Sequence, residues 1–409
     1  MSSPQPASVP PIGSRDFYRD PYPTYRALLD SGTRTLRLSP HIVAVTHYHD
    51  CLDVLRDPRL SAKRYTRQIA HYSEEQKAQI FAWTEASRQM MFFMDAPDHT
   101  RVRKLLSRAF APEAISRLMP SIEALLAGIL DSLPIGEEVD FLHEVAHPFP
   151  ARVIGEILGV PSEDWGRLMQ WSDTFIEFIA SFQAPFDLAL RAHQATLEML
   201  DYLRDLTERK RSQPGDDVLT MMVKAEEDGQ VLTNEELVSQ GMLLLVAGHE
   251  TTRNLIANGL LTLLRHPQDL DRLRADRSLV RSTVEEVLRY EGPLQGTNRV
   301  ALEDLDFHGE KVLAGQSLLT LFGCANRDAA QFSDPDRFDP ARKNNAHLDF
   351  GAGAHACLGL HLARLEAQLA ISAVLDRYAR IELRETSPEW GGMLTLRGLK
   401  RLNVVLHAN

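Results

Sequence analysis

Between Thr233 and Leu264 the chain carries an apolar pattern that only a long, covered helix satisfies. The pattern opens on Thr233-Asn234-Glu235-Glu236, a hydroxyl N-cap with a glutamate three residues later, so that each side chain can hold the other's orphan N–H. It stops before His266-Pro267, where a ring and a missing N–H end a helix. Roughly 30 residues make a rod of about 45 Å, long enough to cross a whole domain. A rod apolar over most of its surface has to be central and buried.

The rest of the chain supplies cover for such a rod. Amphipathic runs from Ala114 to Leu133, His193 to Arg211 and Leu279 to Tyr290 read as helices. Strands are few: Ile42 to Thr46, and short ones between Leu302 and Leu321 around the Phe307-His308-Gly309 and Ala314-Gly315 turns. With no internal repeat and no long linker, the expected architecture is mainly α with a small β region. The expected organisation is a polar tail over residues 1–15 and one domain over 16–409.

Composition narrows the function. Of 409 residues, 45 are basic and 56 acidic, a net charge of −11 without any basic tract, which argues against nucleic-acid binding. Cys51, Cys324 and Cys357 are widely spaced, with no CxxC pair and no CxxCH, so neither a zinc knuckle nor a covalently attached haem is indicated. Sparse cysteines suit a reducing cytoplasm. The proline-rich start and the lack of an 18-residue apolar run predict a soluble protein without a membrane anchor.

The long helix has a flaw. Ala247-Gly248-His249-Glu250-Thr251-Thr252 puts a glycine, which costs about 1 kcal/mol against alanine, beside two threonines whose hydroxyls compete for backbone carbonyls. It also places a glutamate where burial is costly unless the charge is paired. Local rules broken together mark function.

A second concentration of chemistry is Phe350-Gly351-Ala352-Gly353-Ala354-His355-Ala356-Cys357-Leu358-Gly359, followed by a helix from Leu360. A thiol near a helix N-terminus meets orphan N–H groups and the positive end of the dipole. Both favour thiolate, the form a soft metal centre needs. Gly351-x-Gly353-x-x-Ala356 also fits a loose dinucleotide fingerprint, which would make the protein a nicotinamide dehydrogenase. That fingerprint needs a preceding strand, whereas Asp334 to Arg342 is turn-rich.

The Phe-Gly-x-Gly-x-His-x-Cys-x-Gly pattern resembles the haem-ligand loop of the bacterial soluble cytochrome P-450 family. Ala247 to Thr251 resembles that family's distal oxygen groove. Glu286-Val287-Leu288-Arg289 with Phe338-Asp339-Pro340-Ala341-Arg342 resembles its Glu-x-x-Arg and Phe-x-Pro-x-Arg segments. The resemblance implies a triangular-prism fold with the long helix over haem b. Cys357 would be the axial ligand, Phe350 would pack beside the sulfur, and Ala247 and Gly248 would open the helix locally to dioxygen. Thr251 would hold water at the oxygen site and Glu250 would relay protons, with Thr252 only a packing neighbour. His99 and Arg103, at i,i+4, would join Arg299 and His355 as partners of the haem propionates. Arg101 and Lys104 would be plain surface charges. Glu286, Arg289 and Arg342 would form a structural network.

The activity implied is monooxygenation: one atom of O2 enters a lipophilic small molecule, by hydroxylation or epoxidation, in secondary metabolism or lipophile catabolism. Desaturation, oxidative coupling and peroxide-driven oxidation at the same site are the alternatives, ahead of a non-catalytic haem sensor. Electrons would come from NAD(P)H through a separate ferredoxin reductase and ferredoxin. The ferredoxin would dock on Arg103, Lys104, Arg108, Lys343 or Arg364 of a monomer. By family position the substrate pocket would be lined by Phe92, Phe93, the segment from Thr174 to Phe182, Leu243, Val246, Leu294, Gln295, Thr297, Leu394 and Thr395, with Gln295 and Thr297 as orienting groups.

Overall fold

A computed structural model describes residues 9–181, 183–227 and 232–408. The predicted rod is a helix over Asn234–Arg265, capped by the Thr233 hydroxyl and the reciprocal Glu236 carboxylate. Most of its residues are buried. It packs against the helices Pro148–Ile157, Trp165–Ala180, Phe186–Ser212, Val280–Glu291 and Leu360–Arg377. A small residue sets how closely one of these approaches. A Cβ at Gly248 would crowd Ile154 at 3.2 Å, whereas one at Gly259 would make only ordinary contact with Ile371 and Val287 at 3.5–3.6 Å. Gly248 therefore also serves helix-to-helix packing.

The expected helices are present with shifted ends, at Pro112–Asp131, Phe186–Ser212 and Val280–Glu291. The β region is a five-stranded sheet in the order Thr35–Ser39, Ile42–Val45, Ser317–Leu321, Gly296–Ala301 and Leu60–Ser61. Ile42–Val45 runs parallel to Ser317–Leu321, and the other pairs are antiparallel. Every residue of Ser317–Leu321 is buried, so this strand gives no alternating pattern. A three-stranded sheet (Glu138–Asp140, Asn403–Ala408, Tyr378–Leu383) was not anticipated from the sequence; the hairpin Leu305–Phe307 with Glu310–Val312 was.

Two expectations are corrected. The helix is continuous through residues 247–252, with no local opening. There the Thr251 hydroxyl donates to the Ala247 carbonyl at 3.0 Å, the back-bonding that lets a threonine stay in a helix. The tail boundary also moves. Residues 1–8 lie outside the described residues, but Pro10 accepts a bond from the Thr24 hydroxyl and Ser14 caps a helix at Arg15–Arg19. Among the described residues no helix is long and apolar enough to cross a membrane.

Candidate active site

Cys357 and the central helix face one cavity of about 730 Å³. The cysteine loop reaches it by two left-handed steps, Gly351 at φ +65° and Gly353 at φ +72°, where side chains rarely fit. The turn is closed by Gly351 N–H donating to Leu348 O at 2.7 Å and Cys357 N–H to Phe350 O at 2.8 Å. The helix that follows begins at Leu360 with Gly359 as its cap. The thiol borders the cavity and is half-buried. Burial pushes it up to about 11, against the pull of the Gly359 amide and the Arg103 charge. The expectation that the loop alone favours thiolate is therefore corrected: desolvation outweighs the helix terminus, and a metal ion has to supply the difference.

Across the cavity stand Leu243, Val246, Ala247, Gly248, Glu250 and Thr251. Glu250 is buried, and burial raises its carboxyl above the ordinary range. It pairs with Arg253 and accepts from Asn254 Nδ2 at 3.1 Å. The structure thus brings Cys357, Glu250 and Thr251 to one space.

Basic side chains gather at the same cavity. His99 and His355 lie ring to ring, 4.0 Å between centroids. Arg103 donates to Ala356 O at 2.7 Å and Arg299 to Asn298 O at 3.0 Å. Arg64 joins them, stacked 3.7 Å over the Phe92 ring. Among the described residues none of these three arginines has a carboxylate in ion-pair contact. Burial, then the neighbouring His99, Arg299, Arg64 and Arg103, push His355 down to about 2. Burial also takes Arg299 down to about 10. Among the described residues the buried Nε2 of His99 has no hydrogen-bond partner. Such a cluster is costly alone and calls for anionic oxygen atoms. A planar cofactor with two carboxylates and an iron for the sulfur fits it.

Behind the loop lies an ion network. Glu286 accepts from Arg289 Nε and Nη2 at 2.8 Å each, from Arg342 Nε at 3.0 and 3.1 Å, from Asn345 Nδ2 at 3.0 Å and from the Asp339 N–H at 2.9 Å. Arg289 also donates to the carbonyl of Asn326, whose side chain accepts from the Leu348 N–H at 2.8 Å. A second network was not foreseen. Glu285 accepts from Arg364 at 2.6 and 2.7 Å and lies 3.3 Å from His347 Nε2. Burial opposes its ionisation, yet these partners hold Glu285 down to about 2.

Several expected positions differ. Gln295 does not border the cavity: its amide receives the Tyr25 hydroxyl at 3.3 Å and donates to Gly292 O at 2.9 Å. Phe92, Phe93, Leu294, Thr297, Leu394 and Thr395 do border it. Of the Thr174 to Phe182 segment, Phe175, Ile176, Ile179, Ala180 and Ser181 contribute and Phe182 lies outside the described residues. Thr252, expected only to pack, also reaches the cavity. Arg101 is no plain surface charge, because it bonds Glu236 at the start of the central helix. Arg364, expected on a docking face, is held by Glu285 and stacks 4.6 Å over Phe350. Arg64 had no signal in the sequence, since nothing in its local spacing separates it from an exposed arginine.

A family model described as Cytochrome P450 matches residues 160–391. Over 400 residues the chain is 39% identical to the cytochrome P450 monooxygenase PikC of Streptomyces venezuelae, covering 95% of this chain and 92% of that one. It is 38% identical over 400 residues to a vitamin D(3) 25-hydroxylase of Pseudonocardia autotrophica, covering 96% and 95%. Among solved structures, the myxobacterial cytochrome P450 CYP267B1 in complex with myristic acid superposes with a TM-score of 0.88 at 37% identity, covering 97% of this chain and 99% of that one.

Proposed function

The chain belongs to the cytochrome P450 family, is a haem-dependent monooxygenase, and we propose how its own residues divide that work. The observation that carries the proposal is the single cavity in which Cys357 faces the Glu250–Thr251 step of the central helix, with uncompensated cations at its edge. When bound, haem would supply an iron that activates dioxygen, with a cysteine sulfur as its protein donor.

Cys357 is that donor, and the Leu348–Cys357 turn fixes the direction of its sulfur. His99, Arg103, Arg299 and His355 hold the two propionates, which replace mutual repulsion with charge-assisted bonds. Ala247 and Gly248 keep the opposite wall low. Thr251 positions water at the oxygen site once its hydroxyl turns from the Ala247 carbonyl. Glu250 carries protons to it, and burial raises its carboxyl, which favours the proton-bearing form. Glu286, Arg289 and Arg342 act only by holding the loop.

The pocket walls, Phe92, Phe93, Phe175, Ile176, Leu243 and Val246, are apolar and fit a lipophilic substrate. Thr297 is the polar group placed to orient it. The vitamin D(3) 25-hydroxylase, by name, is a relative that hydroxylates such a molecule. Turnover under isotopically heavy dioxygen separates the outcomes: monooxygenation puts one heavy atom in the product, and desaturation or coupling puts none.

Thr251→Ala should leave the haem spectrum intact and cut product formation at least ~10²-fold, the low end for positioned proton transfer, with electrons lost as hydrogen peroxide. Full coupling of peroxide-free product to electron use in that variant would remove Thr251 from proton delivery.

Electrons enter, in this reading, from a separate ferredoxin and its reductase to a monomer in the cytoplasm; Cys51 and Cys324 are buried and unbridged, as suits a reducing compartment. Of the cations offered for docking, Lys104, Arg108 and Lys343 are exposed. Reversing their charge should slow reduction by an acidic ferredoxin about 10-fold or more at low salt and flatten its salt dependence. Unchanged reduction rates would move the docking face elsewhere.

A further inference from the structure

Outside the cavity, three helices bring His147, Asp173 and His249 together. His147 begins the Pro148–Ile157 helix, Asp173 lies within Trp165–Ala180, and His249 belongs to the central helix beside Glu250. None of the three borders the cavity. One donor atom from each lies within 4.8 Å of the others.

The polar contacts of the cluster are incomplete. His249 is 1% exposed, and its Nδ1 has no hydrogen-bond partner among the described residues. Asp173 Oδ1, also buried, has none either. These two atoms face each other at 3.8 Å, too far for a hydrogen bond. Two metal–ligand bonds of about 2.0–2.2 Å meeting at an open angle would span that distance. His147 Nε2 lies 3.4 Å from the other Asp173 oxygen.

We propose that His147, Asp173 and His249 form a zinc site that ties the Trp165–Ala180 helix to the central helix, with water as the fourth ligand. Two imidazoles and a carboxylate are a zinc donor set, and too nitrogen-rich for calcium or magnesium. Burial, with His147 and Arg253 adding to it, holds His249 well below its ordinary range, and burial takes His147 down to about 4. Both rings are therefore neutral near neutral pH, as ligands must be. Burial pushes Asp173 up to about 6, which still leaves it mostly ionised there. The nearby Arg253 charge is offset by its pairing with Glu250. His249 Nε2 and His147 Nδ1 are 3.2 Å apart, and coordination by both rings puts both ring protons on these facing nitrogens. That contact opens by a ring rotation when the ion enters. The Trp165–Ala180 helix also supplies Phe175 and Ile176 to the cavity wall, so zinc would hold that wall against the central helix.

The test is calorimetric titration of chelator-treated holoenzyme with zinc chloride at neutral pH, alongside Asp173→Asn and His147→Gln. Asp173→Asn is isosteric at a partly exposed position, so it should fold. One equivalent should bind to the parent, and each variant should bind roughly 100-fold more weakly or worse, as ligand loss exceeds the 10–100-fold typical of second-layer changes. Zinc-edge X-ray absorption should show nitrogen and oxygen neighbours at about 2.0–2.1 Å and no sulfur. Absence of saturable binding, equal binding by parent and both variants, or zinc–sulfur bonds would each overturn the proposal.

Discussion

Glu286→Ala should lower stability by about 3–5 kcal/mol, the cost of leaving buried charge uncompensated. Arg289 is fully buried and Arg342 nearly so, and among the described residues the Glu286 carboxylate is the one acidic group paired with either, apart from the carbonyls they also bond. Without it two guanidinium groups stay in the interior without a counter-ion. The damage should travel along a defined path. Arg289 holds the Asn326 carbonyl, and Asn326 holds the Leu348 N–H at the base of the cysteine turn. The variant should therefore lose haem on gel filtration under conditions where the parent keeps it. Glu286→Gln, which retains acceptor geometry without the charge, should fall between them. Chemical denaturation measures the first effect and haem-to-protein absorbance the second. A Glu286→Ala protein within about 1 kcal/mol of the parent and fully loaded would mean that the network does not hold the loop; replacing a truly surface ion pair costs that little.

The parts of this architecture that were legible in the sequence have local causes. The capping box at Thr233 and the proline after His266 delimit the central helix by backbone chemistry within a few residues. Glu286 and Arg289 lie three apart on one helix, so their meeting follows from helical spacing. Two glycines around Cys357 announce a turn that few other residues could make. The rest depends on partners distant in the chain. Glu285 finds Arg364 across 79 residues, and Arg64 approaches Arg299 only because Leu60–Ser61 and Gly296–Ala301 pair as strands. Gln295 looked like a pocket residue beside Leu294 and Thr297, but its side chain turns to Tyr25 and Gly292 instead. The unbroken helix at Thr251 is a balance between hydroxyl and backbone bonding, which spacing alone does not resolve. The raised thiol of Cys357 is similar, because a dipole argument made from the sequence omits desolvation.

Cys357→Ser should abolish turnover. A serine hydroxyl at this position is a hard oxygen donor whose proton is held far more tightly than a thiol's, so it cannot give iron the soft anionic partner that a thiolate gives. The change is close to isosteric, and the turn is held by backbone bonds from Gly351 and Cys357 N–H that serine can also make. The fold should therefore survive while the chemistry is lost. The same substitution separates ligation from haem retention, since His99, Arg103, Arg299 and His355 remain to hold the propionates.

The most direct measurement is the absorption spectrum of the reduced, carbon-monoxide-bound protein, parent against Cys357→Ser. The parent should absorb far to the red of a histidine-ligated haem, and the variant should keep haem yet lack that band. A parent spectrum of the histidine-ligated kind, or the red-shifted band persisting in Cys357→Ser, would contradict Cys357 as the ligand of the iron.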